Sequence, residues 1–224
     1  SISQFSAFPV QETIFNELKK ELSATIPDKI KISEIISKDI GLIAKVFHIA
    51  IATAQNNLKW IASVKEIVDI LNLEVLQEAI ESDGIFTPIN DAYECKWLAE
   101  LTEHSLLVAK NSYESSLKYD VTGNSGAYIA GLFHDIGKIL LRRTFPAIYR
   151  DSIDCSTAAL TDAETFYLGA DHAQVGAYFM GLWGLEMDIL NAIRLHHLPN
   201  AIKASNDPLT PIVWFANTVQ TKES

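Results

Sequence analysis

Six histidines mark the chain, His48, His104, His134, His172, His196 and His197, and five of them follow residue 100. Imidazole nitrogens bind divalent metals, carry protons or simply hydrogen-bond, so position decides among these uses. His104 follows Leu101 by three residues and precedes Val108 by four, which puts it on their helical face. His172 leads a stripe completed by Val175 and Phe179, and His197 continues Ile189 and Ile193 at four-residue spacing. His134 and Asp135 are adjacent in the apolar run from Gly126 to Leu141, which reads as one helix. An ionised Asp in such surroundings is costly unless paired or coordinated. A metal, or a histidine held as its cation, offsets that cost. Imidazole nitrogen with carboxylate oxygen suits Zn, Fe, Mn or Ni. His48 has no acidic or histidine neighbour in sequence and reads as a structural core residue, while a His-His pair at a helix end can serve to cap the dipole. Five histidines on separate apolar faces, together with Asp135, favour one shared polar cluster.

The elements that must position these groups are helical. Val10, Ile14, Leu18 and Leu22 form one stripe, ended by Pro27, and Leu42, Val46 and Ile49 form another. Ser63 to Glu66 reads as a capping box, and a second, Thr161 to Glu164, opens a helix that Gly169 should stop. A long helix is predicted from Asp91 to Leu117, then a polar loop from Asp120 to Ser125. Val175, Phe179 and Leu182 mark the apolar side of a later helix. Glu186 to His197 follows, terminated before Pro199, and Thr210-Pro211 opens the last helix. No strand alternation is evident. The weakest junction lies at Asp83 to Asn90, dividing an N-terminal helical lobe (1–88) from a histidine-bearing lobe (89–224).

Composition narrows the function. A chain of 224 residues, 48% hydrophobic and 21% charged, can bury a core without disulfides, and Cys95 and Cys155 form no CxxC pair. A zinc ribbon is excluded and a reducing compartment, the cytoplasm, is favoured. The net charge of −10 argues against nucleic acid and against anionic membrane surfaces as partners. The apolar stretch from Ile40 to Ala54 is too short to span a bilayer.

The ordered series His104, His134-Asp135, His172 and His196-His197 resembles the ligand series of HD-superfamily metal-dependent phosphohydrolases, and the HDIGK run from His134 to Lys138 copies that superfamily's central motif. The segment from Glu164 through Gly169 and His172 to Gly176, with Trp183, Leu185, Ile193 and His196-His197-Leu198-Pro199, resembles the signature of the bacterial HDOD family. Asp39 to Val46 and Ile61 to Leu76 resemble that family's N-terminal half.

The resemblance implies an all-α, multi-helix HD-like bundle in which the N-terminal lobe packs on the HD-like lobe. It further implies a bacterial, cytoplasmic signal-transduction output module acting through protein contacts. A divalent metal (Fe, Mn, Ni or Zn) would be held by His104, His134, Asp135, His172, His196 and His197. The superfamily's closing Asp is replaced here by Asn217, a poor ligand that brings no charge. The Gly-Tyr-Pro element of the cyclic-dinucleotide phosphodiesterase branch is absent, because Leu198-Pro199-Asn200-Ala201 follows the His pair. The alternative function is a metal-dependent phosphohydrolase with Asp135 and Lys138 in catalytic roles, acting on a phosphoester or nucleotide. A protein partner is expected, and a small phosphorylated ligand is the further candidate.

Overall fold

The computed structural model describes residues 8–53, 61–82, 84–121, 124–198 and 207–223, and these are predominantly helical. The chain divides into two compact units, Ser1–Leu107 and Val108–Ser224, the division falling inside one long helix.

The first unit runs β1 (Phe8–Gln11), α1 (Glu12–Leu22), α2 (Lys29–Ile36), α3 (Ile40–Thr53), α4 (Val64–Asp69), α5 (Leu73–Glu81), β2 (Phe86–Ile89) and the first part of α6 (Ala92–Lys118). Val10 was expected on a helical stripe but lies in a strand. β1 pairs parallel with β2 in the register Phe8↔Phe86 to Gln11↔Ile89. Pro9 cannot donate to a helix ladder, and four residues are too few for alternation to declare a strand. Asp39 fixes the junction: its carboxylate accepts the Gln11 N–H at 2.8 Å and the Leu42 N–H at 3.0 Å. Gly41 lets α3 press on β1, since a Cβ there would lie 2.1 Å from the Pro9 carbonyl oxygen. At α4 the Ser63 cap forms as expected, but the return bond of the box falls one residue early, on Ala62. Ser63 accepts the Glu66 N–H, and the Glu66 carboxylate reaches back to the Ala62 N–H. At the other end of α4 the Lys29 ammonium donates to the carbonyls of Val68, Asp69 and Leu71. Ile32, Ile36, Leu42, Phe47 and Ile67 are fully enclosed in the core.

The second unit takes the rest of α6, then α7 (Asn124–Phe133), α8 (Ile136–Thr144), α9 (Pro146–Ile148) and a π-helical turn (Tyr149–Ile153). It continues through α10 (Leu160–Leu168), α11 (His172–Leu182), α12 (Met187–Leu195) and α13 (Leu209–Glu223). Two expected helix starts are corrected. The Thr161–Glu164 capping box does not form. The helix begins two residues earlier, at Leu160 after Ala159, and Glu164 is fully buried with other partners. At the last helix Asp207, not Thr210, supplies the cap and accepts the N–H groups of Leu209 and Thr210. Leu182, expected on the apolar side of α11, is exposed. Pro199 and the residues directly after it, Asp83, and Thr122-Gly123 of the polar loop lie outside the described residues.

α11 packs against α8 and α12, and α12 packs against α7 and α13. The α8–α11 crossing depends on two glycines. A Cβ on Gly137 would lie 1.9 Å from the His172 carbonyl oxygen, and one on Gly176 would lie 3.1 Å from the Gly137 nitrogen. Gly137 therefore brings the first residue of α11 onto the first turn of α8.

Candidate metal centre

His134 and Asp135 do not lie within one helix, as the apolar run suggested. They occupy the break between α7 and α8, where Asp135 takes φ −102° and ψ 6°. Leaving helical geometry removes the roughly 100° divergence of successive helical side chains. The His134 Nε2 comes within 3.2 Å of the Asp135 Oδ2. The His134 Nδ1 donates to the Gly131 carbonyl at 2.8 Å, which turns the Nε2 side of the ring toward the carboxylate.

Three more histidines converge from other helices. His172, the first residue of α11, places its Nε2 3.1 Å from the Asp135 Oδ1 and 3.0 Å from the His197 Nε2. His196, the C-cap of α12, donates from Nδ1 to the Ile193 carbonyl at 2.6 Å. Its Nε2 lies 3.6 Å from the Asp135 Oδ1, is buried, and has no hydrogen-bond partner. His197 is the exposed member. One ligand atom each from Asp135, His172, His196 and His197 lies within 4.8 Å of the others. Lys138, one turn into α8, places its ammonium 2.6 Å from the Asp135 Oδ2.

The donor set fits a divalent cation. The His196 lone pair points at the Asp135 Oδ1, an arrangement of acceptor against acceptor that a cation between them would satisfy. The outer contacts also have the form of a metal site, because each of these rings is held through the nitrogen that faces away from the carboxylate. For His172 the holder is Glu164, whose Oε2 accepts both the His172 backbone N–H at 2.8 Å and the Nδ1–H at 2.6 Å. Tyr149 donates to the other oxygen of Glu164.

The electrostatics follow from burial and these contacts. Burial works against the ionised form of Asp135, but His134, Lys138 and His172 outweigh it and hold the carboxyl well below its usual range. Burial likewise opposes a charged His172, yet hydrogen bonds to Asp135 and Glu164 raise its pKa. His196 is pushed down to about 4, chiefly by burial. Glu164 stays low despite burial because His172 bonds to it.

The structure thus brings together His134, Asp135, Lys138, His172, His196 and His197. His104 lies half-buried on the part of α6 belonging to the first unit. Asn217 is buried on α13. Sequence reasoning missed the roles of Glu164 and Tyr149. A signal for Glu164 was present: Gly169, at φ 80°, stops α10, and Asp171 caps α11 by accepting the Gln174 N–H. A C-cap and an N-cap two residues apart force a tight reversal, which folds the preceding helix onto His172. Tyr149 had no comparable signal, since its placement depends on the π-helical turn.

Comparison with known proteins agrees with this architecture. The MmoQ response regulator of Methylococcus capsulatus str. Bath superposes with a TM-score of 0.71 over 95% of this chain and 83% of that one, at 17% identity. A virulence factor of Campylobacter jejuni subsp. jejuni gives a TM-score of 0.62 over 96% of this chain and 78% of that one, at 16% identity. In sequence, an uncharacterized protein of Treponema pallidum (strain Nichols) is 26% identical over 192 residues, 82% of this chain. The chain spans only 36% of that relative's length. At these identities the solved structures establish the fold, a helical HD-like one. The HDOD domain pattern matches residues 8–199, most of the chain and every residue of the cluster, and the protein therefore belongs to the HDOD domain family.

Proposed function

We propose that this protein is a signal-transduction output module that acts through protein contacts and carries a His/Asp site for a divalent ion with a structural or regulatory role. The observation that carries this reading is the enclosure of the cluster. His134, Asp135, His172 and His196 are each at most 1% exposed, and Asp135 is already ion-paired to Lys138. A phosphate entering the site would have to displace that ammonium. Asn217 completes the ligand set in this proposal, contributing a carbonyl oxygen and no charge. The protein works in the bacterial cytoplasm with a protein partner, and its −10 charge supports a role without nucleic acid or membrane. Among the described residues no helix is long and apolar enough to cross a membrane.

A second reading, a metal-dependent phosphohydrolase, is favoured by one feature: His197 is exposed while its Nε2 meets His172, giving the cluster an outward-facing side. Bound divalent ions would there polarise a phosphoester and activate water. Asp135 would serve as ligand and Lys138 would turn from Asp135 to the phosphate. The deciding experiment is elemental analysis of protein purified without added metal, followed by phosphodiesterase and phosphatase assays with Mn, Ni, Fe and Zn. The regulatory reading expects a bound or bindable metal and negligible hydrolysis. Robust metal-dependent hydrolysis abolished by Asp135→Ala would replace it with the enzymatic one.

A further inference from the structure

We propose that Glu164 and Tyr149 are positioning residues that set the ring of His172, so that the ion affinity of the cluster is governed from a buried relay behind it. The proposal rests on the reading of the His/Asp cluster as a divalent-ion site.

The relay is built into the second unit. Glu164 Oε2 holds His172 at two points, the backbone N–H and the Nδ1–H. Two anchors on one residue fix both the start of α11 and the rotation of the ring about its side-chain bonds. With Nδ1–H engaged, Nε2 is the only ring nitrogen that faces Asp135. The Tyr149 hydroxyl bonds the second carboxylate oxygen, which stops Glu164 from rotating away. Tyr149 is itself immobilised. It packs with Leu141, Ile153 and Ala163 in a buried apolar cluster, and the Arg142 guanidinium, paired to Asp154, lies 5.7 Å from its ring centre. The π-helical turn sets its height, because the Asp154 N–H reaches back five residues to the Tyr149 carbonyl at 2.8 Å. Neither the Tyr149 hydroxyl nor the Glu164 carboxylate belongs to the converging ligand atoms. Each acts through His172.

Glu164 is fully buried and Tyr149 is 2% exposed. A carboxylate enclosed to this degree needs its partners, and a helix cap would not have required it to be enclosed. The position serves the ring of His172 instead.

The test uses the full chain and its Glu164→Gln and Tyr149→Phe variants. Mn2+ and Ni2+ binding is measured by calorimetry, and the ring nitrogens of His172 in the metal-free protein are followed by long-range 15N NMR. Loss of such an outer partner typically costs about 10–100-fold in metal affinity. We expect that range for Glu164→Gln and a smaller loss, about 3–10-fold, for Tyr149→Phe. In the metal-free protein the His172 Nδ1–H signal should be protected from exchange, and it should lose that protection in Glu164→Gln. Circular dichroism melts identify any variant that fails to fold, and the isosteric Tyr149→Phe, which keeps the ring in its apolar cluster, then carries the test. Wild-type metal affinity in both folded variants, or a His172 whose Nδ1 carries no proton, would overturn the relay. Absence of metal binding in the wild type, with a protected Nδ1–H that Glu164→Gln removes, would sink the ion-site reading while leaving the ring positioning supported.

Discussion

Replacing Gly137 by Ala tests how closely α8 and α11 must approach to assemble the cluster. The new Cβ would lie 1.9 Å from the His172 carbonyl oxygen, 2.7 Å from its carbon and 2.8 Å from the Gly176 nitrogen. Ordinary contact begins near 3.4 Å, so the two backbones must separate by about 1.5 Å. All three neighbours are main-chain atoms and none can rotate aside. Overpacking of this kind costs about 1–3 kcal/mol, and rigid neighbours place Gly137→Ala near 3. Ala gains about 1 kcal/mol over Gly in helix propensity, leaving a net loss of about 2 kcal/mol. For a chain of this size that lowers the melting temperature by roughly 4–8 °C. The same displacement moves His172 away from Asp135, beyond their present 3.1 Å, so metal affinity should fall with stability. Two other glycines calibrate the argument. At Gly176 the nearest atom to a Cβ is 3.1 Å away, predicting a smaller loss, and at Gly181 it is a flexible Leu190 methyl at 3.4 Å, predicting neutrality or slight gain. Thermal melts of the three alanine variants give the order directly. A Gly137→Ala protein melting at or above the wild type would refute the reasoning.

In the proposed ligand set Asn217→Asp adds a negative charge, and calorimetry with Mn, Ni and Fe should show metal affinity rising by about tenfold or more, equivalent to about 1.4 kcal/mol. Equal affinity in the two proteins would place Asn217 outside the ligand set. The lowered pKa of His196, about 4 against 6.5 when unfolded, means that the unfolded chain takes up this proton first as pH falls. The stabilising contribution of the neutral ring is complete above pH 6.5 and is lost progressively toward pH 4, by up to about 3 kcal/mol. Urea unfolding of metal-free protein across that window should show the loss, and His196→Gln should reduce it, the remainder coming from His197, which burial also pushes down. Lys29→Met removes three charge-assisted hydrogen bonds that finish α4 and should cost about 2 kcal/mol in urea unfolding, with metal binding unchanged.

Much of this molecule is readable from its sequence, and the gaps have physical reasons. The α6 helix and the Ser63 cap follow from local rules, because periodicity and capping need only neighbours in sequence. The identity of the clustered histidines was likewise legible, since each interrupts an apolar stripe. The break between α7 and α8 was not. Apolar residues flank His134-Asp135 on both sides, and only tertiary packing through Gly137 shows that two helices are needed. Glu164 reads as part of a cap because its spacing from Thr161 satisfies the local pattern, whereas burial against His172 is a long-range fact. The two strands were missed for a similar reason: four residues carry too little alternation, and their hydrogen-bonding partner lies far along the chain.

That pairing of distant segments has a kinetic consequence. Phe8 and Phe86 come together only after about 78 positions of intervening chain, including α1 to α5, have been gathered. Loop-closure entropy makes so distant a contact a late event, while the helices it encloses can form from local interactions. The short sheet therefore acts as a clasp on an already gathered set of helices. Weakening it would leave the folding rate almost unchanged and speed unfolding, so the sheet governs how long the first unit stays closed more than how fast it forms.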